Sequence, residues 1–259
     1  MHSFPISFPE NGKDMPLLCG MASSTGHIAD GTLFTAGALK VIALVAMTID
    51  HVALFFIDSA SPAYLVMRTL GRVAFPIFAF LISEGYVHSH DRVSYGLSLL
   101  IFAVISDVPW CILHEPGSHN VLFTLLAGFL GICCVEKCNT VLHSSIGTVG
   151  KTVGILPSLF LFVMLCFTCS VLHTDYGYHG FLLVVVFHLL RDDRLSAVLI
   201  GLSLMVHEIL PGQILAFSFI YFYNGKRGLQ PHGRWKYLFY AYYPLHMAVI
   251  CIVRLLLLR

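Results

Sequence analysis

An aspartate and a histidine stand side by side, as Asp50 and His51, inside the largely apolar run LKVIALVAMTIDHVALFFI from Leu39 to Ile57. Wound as a helix, a run of that length reaches ~28 Å, about the thickness of a bilayer's hydrocarbon core. A carboxylate and an imidazole are costly to hold at that depth. They must face protein or a wet cavity, and they mark the first candidate functional site.

The rest of the chain fits that environment. Hydrophobic residues make up 57% of it and charged residues 11%, against roughly a quarter charged in soluble domains. The chain therefore reads as an all-α, polytopic integral membrane protein. A net charge of +1 gives no basis for nucleic-acid binding. Most of the eight cysteines lie in apolar runs, where a thiol behaves as a small hydrophobe, so no disulfide framework is expected. The pair Cys166 and Cys169 has C-x-x-C spacing but sits within a hydrophobic helix, and no metal site is predicted.

Nine apolar runs are predicted to span the membrane. After Leu39 to Ile57 they are Gly71 to His88, Ser94 to Leu113, Val121 to Val135, Val153 to Leu172, His179 to Leu190, Leu195 to Leu210, Ile214 to Tyr223 and Tyr237 to Leu258. Several are short enough to be half-helices. Residues 1–38, rich in Gly, Pro, Ser and Thr, read as a cytoplasmic, partly disordered tail, and residues 39–259 as the membrane domain. With the N-terminus in the cytoplasm, eleven of the fifteen Lys and Arg residues fall inside and Arg68, Arg72, Arg254 and Arg259 fall outside, as the positive-inside rule requires. His51 then lies ~18 Å along the first span and His246 ~14 Å along the last, both near mid-membrane. Pro244, two residues before His246, is expected to distort that helix and open room beside the imidazole. Pro76 cannot donate to the Arg72 carbonyl, which leaves a polar corner beside the guanidinium. Glu84 belongs to the opposite side of the membrane from Arg72.

Six motifs in order, LKVIALVAMTIDH, GRVAFPIFAFLISEG, NVLFTLLAG, DYGYHGFLL, YNGKRG and KYLFYAYYPLHM, resemble the TraX family of membrane acetyltransferases. The resemblance covers the chain from about Leu39 to Ile250. It implies a multi-pass enzyme of the bacterial cytoplasmic (inner) membrane that moves an acetyl group from acetyl-CoA to an acceptor, in the namesake the N-terminal amine of a pilin subunit. The motifs carry that site onto Asp50, His51, Arg72, Pro76 and His246.

The chemistry asks for compatible residues. Acyl transfer from a thioester needs a base or a nucleophilic carrier and a donor aimed at the oxyanion. His51 suits the base or carrier role. Helix neighbours diverge by ~100°, so Asp50 is expected to reach across to His246 or Arg72 rather than hold His51. For the CoA phosphates, the predicted cytoplasmic loop offers Asn224, Lys226, Arg227, Arg234 and Lys236. Asp175, in an outer loop, is a candidate acceptor contact. The acceptor itself is open between a protein amine and a cell-envelope glycan or lipid hydroxyl. The rival reading is a proton-coupled transporter or flippase, with Asp50, His51, Glu84 and His246 as a proton relay.

Overall fold

The structure is a computed structural model, and it describes residues 33–114, 117–228 and 236–257, with backbone alone at 236–238. Ten helices form among these residues: α1 Ala36–Phe56, α2 Pro62–Gly71, α3 Ala74–His88, α4 Arg92–Leu113, α5 Val121–Leu142, α6 Thr148–Val171, α7 Gly177–Leu189, α8 Arg194–Leu204, α9 Leu210–Tyr221 and α10 Lys236–Leu257. Each of the nine predicted runs corresponds to one of them. Two differences stand out. The second run begins earlier, because Pro62–Gly71 forms α2 and joins α3 through a tight turn into one span of 27 residues. The fourth continues to Leu142, since nothing between Val135 and Leu142 breaks a helix.

Six of these spans are long and apolar enough to cross a membrane, while α7, α8 and α9 are shorter. At 13, 11 and 12 residues the short helices reach only ~16–20 Å each. The protein is a polytopic helical membrane protein. Successive spans run in alternate directions between two ends. The near end holds the start of α1 and residues 222–228 after α9; the far end holds the α1–α2, α6–α7 and α8–α9 connections and the start of α5.

Side-chain caps start several helices where the sequence offers them. Thr35 accepts from the Ala38 amide at 3.2 Å, Asp91 from Ser94 at 2.9 Å and Asn120 from Leu122 at 3.0 Å, meeting amides that a helix leaves unpaired at its start. The start of α1 is further closed by the segment after α9. Ala36 and Gly37 donate to the carbonyls of Lys226 and Arg227 at 2.9 and 3.0 Å, and Asn224 donates to the Phe34 carbonyl at 2.9 Å. Gly225 and Gly228 adopt φ of 73° and 66° there, a region open to glycine. The backbone of YNGKRG thus caps the first span.

The α3 helix lies at the centre, against α1, α5, α7 and α9, with Ile77, Ala79 and Phe80 in the core. Its join to α2 turns at Arg72 and Val73. Pro76 denies the Arg72 carbonyl its helical donor, and Gln213 Nε2, from the fully buried Gln213 on α9, donates to that carbonyl at 3.5 Å. Helices α5 and α7 approach closely at Gly128, where a Cβ would stand 2.6 Å from the Cβ of Val184; small residues at such crossings let helices pack without a hydrophobic driving force. The peripheral α6 packs on α5 and α7 and turns Phe160, Val163 and Phe167 outward, as a lipid-facing helix does.

Candidate functional site

His51 and His246 meet. His51 Nδ1 and His246 Nε2 are 2.8 Å apart, and His246 Nδ1 lies 3.0 Å from the Tyr242 carbonyl. A carbonyl only accepts, so His246 Nδ1 carries a proton and its Nε2 offers a lone pair. His51 must then donate from Nδ1, which leaves the lone pair of His51 Nε2 unshared among the described residues. That is the protonation state a base or acyl carrier requires. Tyr242 is itself held at 2.7 Å by Thr48 of α1, and the Tyr243 ring stands edge-on to both imidazoles, at 6.3 Å from His51 and 5.3 Å from His246.

Asp50 looks the other way, as the helical angle between neighbours demands. Its Oδ2 accepts from Arg68 Nη1 at 2.5 Å and from Arg72 Nη2 at 2.9 Å. Of the two partners expected from sequence, Arg72 is the one it takes. Arg72 was expected at the outer start of its helix; it lies instead at the α2–α3 turn, inside the joined span, because the segment before it folds as α2. Arg72 also donates to the Tyr176 hydroxyl at 2.9 Å and to Glu208 at 3.2 Å, so one guanidinium ties α1, the α2–α3 turn and two far-end loops together. Asp50 Oδ1 is buried without a hydrogen bond among the described residues, and Gly71 makes this close approach possible, since a Cβ there would fall 2.2 Å from that oxygen.

The loop between α6 and α7 is bent to deliver Tyr176. His173 and Tyr176 have φ of 45° and 63°, left-handed conformations that cost a non-glycine residue of order 1 kcal/mol each and persist only where surroundings over-determine them. Here Tyr176 stacks on Phe75 at 3.8 Å with rings nearly parallel while its hydroxyl meets Arg72. Burial pushes that phenol well above its usual range, with the nearby guanidinium opposing, so Tyr176 keeps its proton and has it free to donate.

These residues line a cavity of about 690 Å³ at the far end, with Asp50, His51, Arg68, Arg72, Asp175 and His207 on its walls. Burial raises the Asp175 carboxyl to about 6, Arg72 pulling it down and Glu208 and Asp50 pushing it up. Its folded pKa exceeds the ordinary value, so the stability it contributes is full below pH 4 and is lost as pH rises through about 6. The thermal midpoint of Asp175→Asn relative to wild type is therefore expected to climb by roughly 5 °C between pH 4 and pH 7 and then level off. A difference that stays flat across that range, read by thermal unfolding in detergent, would remove Asp175 as the titrating group.

A second cavity, of about 550 Å³, opens at the near end between α1, α3, α4 and α10. Lys40, His88, His90 and Arg227 line its mouth; Met47, Val121 and Tyr243 line its depth. Of the phosphate-binding candidates, Arg227 lines this groove and donates to the His88 carbonyl at 2.9 Å. Lys226 is exposed beside it, and Asn224 is spent on the Lys226 amide at 2.9 Å. Arg234 and the side chain of Lys236 lie outside the described residues, as does most of the 1–38 tail. Lys40, read from sequence only as a topology signal, is a groove residue. The proposed relay partner Glu84 is not joined to the histidines: it accepts from Tyr223 at 3.0 Å near the opposite end from Arg72.

Comparison with known proteins adds the following. A profile of the TraX protein family matches residues 35–254. The probable fimbrial assembly protein FimC, serogroup H1, of Dichelobacter nodosus is 31% identical over 243 residues, which cover 86% of this chain and 97% of that protein. An uncharacterized protein of Rickettsia prowazekii (strain Madrid E) is 35% identical over 98 residues, 38% of this chain and 35% of its own. No solved structure matches.

Proposed function

This chain belongs to the TraX family, and from that premise we propose that it is a membrane acetyltransferase that takes acetyl groups from acetyl-CoA at the near end and passes them to an acceptor at the far end. The observation that carries the reading is a pair of cavities, one from each end, of which the far one reaches His51 and the near one Tyr243; those two rings stand 6.3 Å apart with the His246 ring beside both.

In this reading the near end is cytoplasmic, in a bacterial inner membrane. The pantetheine arm of acetyl-CoA enters the groove while its phosphates stay at the mouth, near Lys40, Lys226 and Arg227. Cations at the mouth suit phosphates, and an apolar depth suits the acyl end. The acceptor's amine or hydroxyl approaches through the far cavity. His51 Nε2 takes its proton, or carries the acetyl group between the two, and His246 holds His51 in the required tautomer. Asp50 and Arg72 brace the far wall. The fimbrial relative favours a pilus or fimbrial subunit as acceptor, with an envelope glycan or lipid hydroxyl as the alternative.

The test is purified protein in liposomes, supplied with radiolabelled acetyl-CoA on one side and an amine-bearing peptide on the other. Saturable acetyl-CoA binding and transfer of label to the peptide are expected. Protein that neither binds nor consumes acetyl-CoA would sink the proposal, and flux of a solute driven by a proton gradient would support the transporter reading instead.

A further inference from the structure

Tyr243 is the group that the mechanism above leaves unused. It is 5% exposed, and its hydroxyl is buried without a hydrogen-bond partner among the described residues. It lines the depth of the near-end groove together with Met47 and Val121. A buried tyrosine normally finds a partner, and leaving one unmade costs free energy; an unpartnered hydroxyl on a residue that lines a groove can gain its partner from a ligand there. Val121, the first residue of the 22-residue α5, lines the same depth as Tyr243, so the positive end of that helix faces this part of the groove. The His51 and His246 rings lie one ring away.

We propose that Tyr243 is a catalytic residue, whose O–H donates to the thioester carbonyl oxygen and stabilises the negative charge that develops there. This rests on the acetyltransferase reading. The acceptor nitrogen or oxygen attacks the carbonyl carbon and forms the new bond, while the C=O π pair moves onto oxygen and is met by Tyr243. The tetrahedral centre collapses, the carbonyl re-forms and the C–S bond breaks, its electron pair leaving on the CoA sulfur. The proton from the acceptor passes to His51 Nε2 and from there to the thiolate. No oxidant or further reactant is needed. A donor fixed in advance in a dry site is worth more than one in water, because it pays no reorganisation as charge develops.

The experiment compares wild type with Tyr243→Phe in liposomes. Phenylalanine keeps the ring against both imidazoles and removes a hydroxyl that makes no hydrogen bond among the described residues, so thermal stability is expected to stay within a few degrees. The expected result is a kcat lowered by about 100-fold, the cost of one oxyanion donor, with KM for acetyl-CoA changed by less than about 3-fold. Without acceptor, the infrared carbonyl band of bound acetyl-CoA carrying ¹³C at the carbonyl is expected at lower frequency in wild type than in Tyr243→Phe. A fluorinated tyrosine at 243, a stronger donor, should lower the band further. If wild type transfers acetyl groups but the variant keeps kcat within 2-fold, or the band does not differ, Tyr243 is not the donor. If wild type neither binds nor transfers, it is the acetyltransferase reading itself that fails.

Discussion

His51→Ala should abolish acetyl transfer while leaving acetyl-CoA bound. A positioned base contributes on the order of 10²–10⁴ in rate, and His51 is the cavity-lining histidine whose tautomer a second imidazole fixes. The expected loss is therefore about 1,000-fold in kcat, with acetyl-CoA affinity, measured by equilibrium dialysis, within about 3-fold of wild type. His246 acts one step removed. Its Nε2 accepts the His51 Nδ1 proton at 2.8 Å, so His246→Leu should cost on the order of 10–100-fold, because His51 loses the partner that fixes its tautomer. His246→Gln can supply an acceptor oxygen and should recover part of that loss, which simple damage to packing would not allow. A His51→Ala protein working at the wild-type rate would overturn the whole assignment.

The anomaly of Asp50 and His51 was legible from sequence, and so was the depth that brings His51 and His246 together, because residue counting along straight helices needs only the rise per residue. The ~100° between helix neighbours was enough to separate the roles of Asp50 and His51. Their partners were less accessible. Arg68 comes into reach only because α2 folds back beside α1, and Gly71 and Pro76 flank the turn at Arg72 and Val73 without saying that the helix resumes in line after it. Glu208 and Tyr176 arrive on short loops whose paths depend on tertiary packing, and the left-handed backbone at Tyr176 has no glycine to signal it. The Gln213 contact that answers Pro76 comes from a helix 137 residues further on. The basic loop was recognisable as a charged segment, but its backbone is used to cap α1, and the groove takes Lys40 and Arg227 from two separate elements.

Arg72→Ala should be the most destabilising single change in the far half of the protein. The guanidinium is 11% exposed and touches Asp50, Glu208 and Tyr176, so its removal takes the support from two carboxylates at once. Breaking a buried ion pair by deleting one partner costs about 3–5 kcal/mol, since the other charge is left without compensation, and a low-dielectric surround makes that penalty harder to escape. Arg68 still reaches Asp50 at 2.5 Å, which limits the loss on that side, whereas among the described residues the charge on Glu208 keeps only His207, 3.8 Å away. The thermal midpoint in detergent is therefore expected to fall by roughly 10 °C, and Glu208→Gln placed on top of Arg72→Ala should return part of it. Arg72→Lys separates charge from geometry: an ammonium can answer one carboxylate but cannot fork between Asp50 and Glu208, so it should restore less than half of the midpoint and leave acetyl transfer impaired. If Arg72→Ala unfolds at the wild-type temperature, the guanidinium is not what binds the far-end loops to α1, and the far cavity must be held by its aromatic contacts, first among them Tyr176 on Phe75.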